Sequence, residues 1–251
     1  MRTTRAGSIG VRVLGVTAVL VLLGGCSDRE PALVDLSGSE PVSFSATDGV
    51  RLEGRLFGEG SAAVVLSHMR PADQRSWFGF ATRLADDGYL VLTYDFRGYC
   101  PGDEGGCSEG ETDIDALWRD VLGAVTFVRE RGADRVALVG ASMGGTASLV
   151  AASQLGADVD VVITLSAPAS TEGLVVDQAV LAEVGAATLF LAGVGDAPYA
   201  EDAQTLYALA QQPKRVEILP SDDHGTDLLT GGQGEVVRRT IENYLAQHGG
   251  P

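Results

Sequence analysis

The amino-acid sequence predicts an α/β protein built on a mainly parallel, twisted sheet with helices on both faces. Three observations lead there. Residues 62–67 (AAVVLS), 89–94 (YLVLTY) and 135–140 (RVALVG) are short continuous apolar runs, as expected of strands covered on both sides. Residues 113–131 place Ile114, Leu117, Trp118, Val121, Leu122, Val125 and Val128 on one helical face. From residue 62 onward such strands and helices alternate, and parallel neighbours joined by right-handed crossovers are the packing solution for that order.

The elements can be taken in turn. Arg2, Arg5 and Arg12 precede the uncharged run 13–23, which has the length of a signal-peptide hydrophobic region and falls short of the ~20 apolar residues of a membrane span. Leu23-Gly24-Gly25-Cys26 resembles a bacterial lipobox, which implies cleavage before Cys26 and acyl chains on that residue. Two such chains suffice for stable anchoring, at ~0.8 kcal/mol per buried CH₂. Residues 1–25 are therefore expected to be a lipoprotein signal peptide and 26–41 a flexible tether reaching about 20 Å. The remainder, 42–251, is expected to be one domain, exported and lipid-anchored to the bacterial cell envelope.

VSFSA and VRLEGRLF alternate around Thr47-Asp48-Gly49, the pattern of an antiparallel hairpin at a sheet edge. A helix is expected from Phe78 to about Leu84, ending at Asp87-Gly88. Further strands are predicted at 159–165, 188–192 and 215–219, with helices near 176–184, 200–211 and 235–247. The segment 166–186 is long enough for a short flap and too short for a large cap.

Charge narrows the partners. The chain carries 18 basic and 34 acidic residues, a net charge of −16; without residues 1–25 the balance is 15 against 34, or −19. An acidic surface disfavours nucleic acid, whose phosphates require basic groups. Besides Cys26, Cys100 and Cys107 share the glycine-rich loop YCPGDEGGCSEG, and in an exported protein they are expected to form a disulfide. No His-Cys cluster exists, and Asp103-Glu104 and Asp222-Asp223 lack EF-hand spacing, so no metal or other cofactor is expected.

The chemistry is expected at Gly140-Ala141-Ser142-Met143-Gly144, where strand 135–140 runs into a small-residue helix. This fits G-x-S-x-G, in which a Ser on a strained turn projects its hydroxyl above the sheet while the flanking glycines let strand and helix pass. Downstream, Asp196 follows strand 188–192 at the carboxyl edge of the sheet, where open α/β sheets build their sites. Glu201 and Asp202 are the alternative acids. Of three histidines, His248 lies in the tail, where the chain is expected to be loose, and His68 ends a strand upstream of the elbow. His224, in Ser-Asp-Asp-His-Gly after the last strand, is the remaining candidate base.

In order and content, residues 42–251 resemble the α/β-hydrolase superfamily, and most nearly the small, cap-poor esterases of the dienelactone-hydrolase-like branch, with Ser142 where dienelactone hydrolases carry Cys. The resemblance implies an α/β-hydrolase fold with little or no cap and a triad of Ser142, Asp196 and His224. An imidazole, which titrates near neutrality, would take the Ser142 proton and return it to the leaving group while Asp196 holds its tautomer. It also implies an oxyanion hole from Met143 N–H and the loop His68-Met69-Arg70-Pro71. By analogy with His-Gly-X the second donor is Arg70; because the family glycine is Met69 here, Met69 itself is the alternative. Asp95-Phe96-Arg97-Gly98 resembles the family's structural Asp-x-Arg-Gly, expected to hold the loops under the elbow. Trp77, Phe78, Phe80, Tyr99 and Tyr199 are pocket candidates, at least half of them expected in the core.

The expected function is a serine hydrolase cleaving carboxylic esters with small or medium acyl groups through an acyl-enzyme. Thioester or peptide cleavage on the same triad is one alternative, since fold and triad do not specify the leaving group. A non-catalytic, ligand-binding envelope lipoprotein is the other.

Overall fold

A computed structural model describes residues 1–4 and 34–251. The proposed signal-peptide run and lipobox, including Cys26, and the first part of the tether lie outside the described residues. Val34–Pro251 forms one compact unit.

Strands β1 (Ser39–Ser45) and β2 (Arg51–Phe57) make the antiparallel hairpin, in register from Ser39 opposite Phe57 to Ser45 opposite Arg51. The first strand thus starts three residues before the expected domain boundary at Val42, because the far end of β2 supplies backbone partners for Ser39, Glu40 and Pro41. After β3 (Ala62–Ser67) come α1 (Phe78–Asp86), β4 (Leu90–Tyr94), α2 (Leu117–Glu130), β5 (Arg135–Ala141), α3 (Met143–Leu155) and β6 (Val161–Leu165). A two-residue-per-strand hairpin follows, β7 (Ser170–Thr171) with β8 (Leu174–Val175), then α4 (Gln178–Glu183), β9 (Ala187–Gly193), α5 (Tyr199–Leu209), β10 (Lys214–Leu219) and α6 (Gly234–His248). The large sheet has the order β1-β2-β4-β3-β5-β6-β9-β10. It is parallel from β4 to β10, while β2 runs antiparallel to both β1 and β4.

Period-2 alternation divides the apolar side chains between two cores. Val65, Leu92, Val136 and Leu138 pack on one face with Leu117 and Val121 of α2, Leu149 of α3 and Leu206 of α5. Val64, Leu66, Val91 and Val139 pack on the other with Phe78 and Leu84 of α1 and Val237, Ile241 and Leu245 of α6. Because both faces are covered, β3, β4 and β6 are buried at every position, which is why they read as unbroken apolar runs. Helix α3 is buried almost all round, and its Gly144, Gly145, Ala147, Ala151 and Ala152 allow the close approach that a central helix needs.

The C-terminus departs from expectation. His248 is the last residue of α6, its ring lies 4.6 Å from that of Tyr244, and Arg135 donates to the carbonyls of His248 and Gly250. The tail is docked because β5 begins with an arginine able to satisfy the final carbonyls of the helix.

Candidate active site

Ser142 sits between the last residue of β5 and the first of α3, at φ 50° and ψ −123°. A non-glycine residue held there costs about 1–3 kcal/mol, so the surroundings must over-determine it. They do. The Ser142 N–H donates to Leu165 O at the end of β6 (2.8 Å), and Ser142 O accepts from Gly145 and Thr146. A Cβ on Gly140 would meet the backbone of Gly144 and Gly145, and one on Gly144 would lie 2.5 Å from the carbonyl oxygens of both Ser67 and His68. Gly140 is thus demanded by the close crossing of the end of β5 and the start of α3, and Gly144 by the contact of that start with the end of β3.

Asp196 follows β9 through Val194-Gly195 and is nearly buried. Both its carboxylate oxygens face His224 Nδ1, at 3.0 and 3.1 Å. With Nδ1–H donated to Asp196, the acceptor lone pair of a neutral His224 lies on Nε2. The His224 loop is held from below: Gly225 N–H donates to Ser166 Oγ at 3.1 Å, and Ser166, itself at φ 53°, donates its N–H to Leu191 O. Tyr199, the first residue of α5, lies over the imidazole with ring centroids 4.3 Å apart.

Ser142 and His224 line one cavity of about 460 Å³ together with Arg70, Met143, Pro168, Ser170, Thr171, Pro198, Tyr199 and Asp202. Met143 is the first residue of α3, where a backbone N–H has no acceptor within the helix. Arg70 lines the cavity, whereas Met69 is buried with its Sδ against Gly225. The Arg70 guanidinium reaches Glu172 in the β7–β8 turn at 2.5 Å, and this pairing holds the Glu172 carboxyl below its ordinary value. The short flap expected between 166 and 186 is therefore this hairpin, joined to the loop after β3.

His68 serves structure. It is fully buried, its Nδ1 lies 2.9 Å from Met69 O, and Nε2 accepts the Phe96 N–H at 3.1 Å. Burial pushes its pKa down to about 4, so the ring is neutral and pins the loop carrying Met69 and Arg70 to the end of β4. Asp95 accepts the Gln74 backbone N–H (3.0 Å) and side-chain amide (2.8 Å), and burial raises its carboxyl to about 7. Arg97 holds a different set of elements from the loops under the elbow. It forks onto Asp48 in the β1–β2 turn (2.8 and 2.9 Å) and bonds Asp120 of α2, tying the hairpin to the helix. Burial pushes the Asp120 carboxyl up, and its bonds from Arg97 oppose that.

Cys100 and Cys107 are joined by a disulfide, with Cα atoms 3.8 Å apart. Gln74 donates to Gly105 O inside that loop, and Tyr99 at its root stands 4.5 Å from the His68 ring with its hydroxyl toward Met143 Sδ. Of the five aromatic pocket candidates, Trp77, Phe78 and Phe80 are core residues, Tyr99 packs behind the loop after β3, and Tyr199 lines the cavity. Ser166, Ser170, Thr171 and Gln74 were not legible as site or supporting residues. Single hydroxyls and amides in loops carry no periodic or motif signal, and their roles come from segments distant in the chain.

Comparison with known proteins accords with this fold. A family model described as the alpha/beta hydrolase fold matches residues 62–247. The chain is 23% identical over 235 residues to the uncharacterized protein YfhR of Escherichia coli O157:H7, covering 82% of this chain and 80% of that one. It is 40% identical over 103 residues, 39% of this chain and 30% of the other, to epoxide hydrolase A of Mycobacterium tuberculosis. Among solved structures it is similar to an esterase of Pyrococcus furiosus (TM-score 0.69, 17% identity, 84% of this chain and 91% of that one). It is also similar to a dienelactone hydrolase of Anabaena variabilis (TM-score 0.68, 22% identity, 84% and 97%). With the elbow, the strand order and a family match over most of its length, the chain belongs to the α/β-hydrolase fold family.

Proposed function

We propose that this protein is a serine hydrolase that cleaves carboxylic esters with small or medium acyl groups through a covalent acyl-enzyme. The observation that carries the reading is the bond from His224 Nδ1 to Asp196, 3.0 Å long, in a cavity that Ser142 shares. In this mechanism His224 Nε2 takes the Ser142 proton as Oγ adds to the ester carbonyl. The oxyanion accepts from Met143 N–H and, by analogy with His-Gly-X, from Arg70 N–H. Collapse breaks the acyl–oxygen bond, and His224 returns the proton to the departing alkoxide. Water then repeats the sequence on the acyl-enzyme and releases the acid. Asp196 stays ionised throughout and stabilises the imidazolium. The names of the esterase and dienelactone hydrolase with similar folds agree with ester chemistry. A small hairpin in place of a large cap suits short or medium chains.

A fluorophosphonate probe tests the reading. Labelling of the wild type that disappears in Ser142→Ala is expected, and absence of labelling between about pH 6 and 9, the range in which imidazole deprotonates, sinks it. We also propose export and lipid anchoring through Cys26 after removal of residues 1–25, for which mass spectrometry of the mature N-terminus should show a diacylglyceryl adduct on Cys26.

A further inference from the structure

The cavity holds two side chains that the hydrolytic reading leaves unused, Asp202 and Tyr199. Both belong to the first turn of α5, which follows directly from Asp196. Asp202 is half-buried, and its carboxylate makes no hydrogen bond or ion pair among the described residues. A carboxylate in a first helical turn commonly compensates free N–H groups. Three amides of this turn have backbone acceptors, Ala200 N–H donating to Asp196 O and those of Glu201 and Asp202 to Pro198 O, so Asp202 caps none of them. Tyr199 contributes an aromatic ring lying over His224.

Charge in the cavity points one way. Arg70, the cation of the lining, is paired with Glu172, and Asp196 is engaged by His224. Asp202 is what remains, an unpaired negative charge beside an aromatic ring, in a chain of net charge −16 whose field draws cations. An alkylammonium group answers both features, the carboxylate by charge and the ring face by cation–π attraction. The Tyr199 ring lies 4.3 Å from the imidazole that protonates the leaving group and is tilted 50° to it, so this corner is assigned to the alcohol side of the scissile bond.

We propose that Asp202 and Tyr199 determine specificity, selecting esters whose alcohol portion carries an alkylammonium group. The proposal rests on the ester-hydrolase reading, so its test must separate the two. Hydrolysis of butyrylcholine is compared with that of its uncharged carbon isostere 3,3-dimethylbutyl butyrate and of the anionic 3-(butyryloxy)propanoate, using the full-length protein. At about 10 mM salt, where screening reaches ~30 Å, the cationic ester should exceed the isostere in kcat/KM by about tenfold. The preference should shrink at about 1 M salt, where the Debye length is about 3 Å. Asp202→Asn and Tyr199→Leu should each lower the ratio about two- to fivefold. The ratio is the readout because a structural or catalytic defect lowers both esters together. A wild-type ratio at or below one, a preference for the anionic ester, or a ratio unchanged in Asp202→Asn overturns the proposal and leaves the hydrolase reading standing. No turnover of any of the three esters, with no labelling of Ser142, overturns both.

Discussion

Replacing Gly144 with alanine tests whether the start of α3 is held against the end of β3 as tightly as the site requires. The added methyl would lie 2.5 Å from both Ser67 O and His68 O, where ordinary contact begins at 3.4 Å. The deficit of about 0.9 Å is against backbone on both counts, so no side-chain rotation relieves it. The first turn of α3 must move away from the loop after β3, carrying Met143 N–H away from Arg70. Overpacking of this kind costs about 3 kcal/mol, offset by about 1 kcal/mol from the better helix propensity of alanine. The net loss in stability is therefore about 2 kcal/mol. A displacement near 1 Å at the oxyanion donors should lower ester kcat about 10²-fold. Urea unfolding and steady-state hydrolysis read the two effects. Gly232→Ala, where a Cβ meets nothing within 4 Å, is the control and should stay within about 0.5 kcal/mol of wild type. If Gly144→Ala unfolds and turns over like that control, the close-approach argument is wrong.

Other expectations concern the acids and the disulfide. Asp196→Asn should reduce ester kcat about 10⁴-fold by leaving His224 in the wrong tautomer, and a loss under tenfold would point to another acid. Burial raises the Asp95 carboxyl from 3.8 to about 7, so between those values the folded protein holds a proton that the unfolded chain has released. Its contribution is most favourable below about pH 4 and declines as pH rises to 7, by up to about 4 kcal/mol. Asp95→Asn should therefore gain stability relative to wild type across that window, and a pH-independent difference in urea midpoints would contradict the assignment. Converting Cys100 and Cys107 to serine should cost about 2.5 kcal/mol by freeing the short loop they close, read as a lower urea midpoint with a slope equal to or slightly above that of wild type.

The sequence by itself determined the layer architecture and nominated the residues of the candidate site. Periodicity is a local property, so continuous apolar runs such as 62–67 and one-faced stretches such as 117–128 declare strands and helices without knowledge of their neighbours. Gly140 and Gly144 around Ser142 were readable because the elbow forms within a few residues, and Asp196 and His224 because the α/β-hydrolase resemblance implies an acid and a histidine after the late strands. The tertiary structure alone decided what depends on segments remote in the chain. That Arg70 pairs with Glu172, that Ser166 holds Gly225, that Arg97 ties Asp48 to Asp120, and that Arg135 docks the C-terminus are contacts between separate loops, with no period to announce them. Asp202 illustrates the difference best. In the sequence it is an alternative to Asp196, an acid at a helix start. Its place in the cavity with Tyr199, without a partner among the described residues, gives its charge a use, because an unpaired charge acquires meaning from what surrounds it in space.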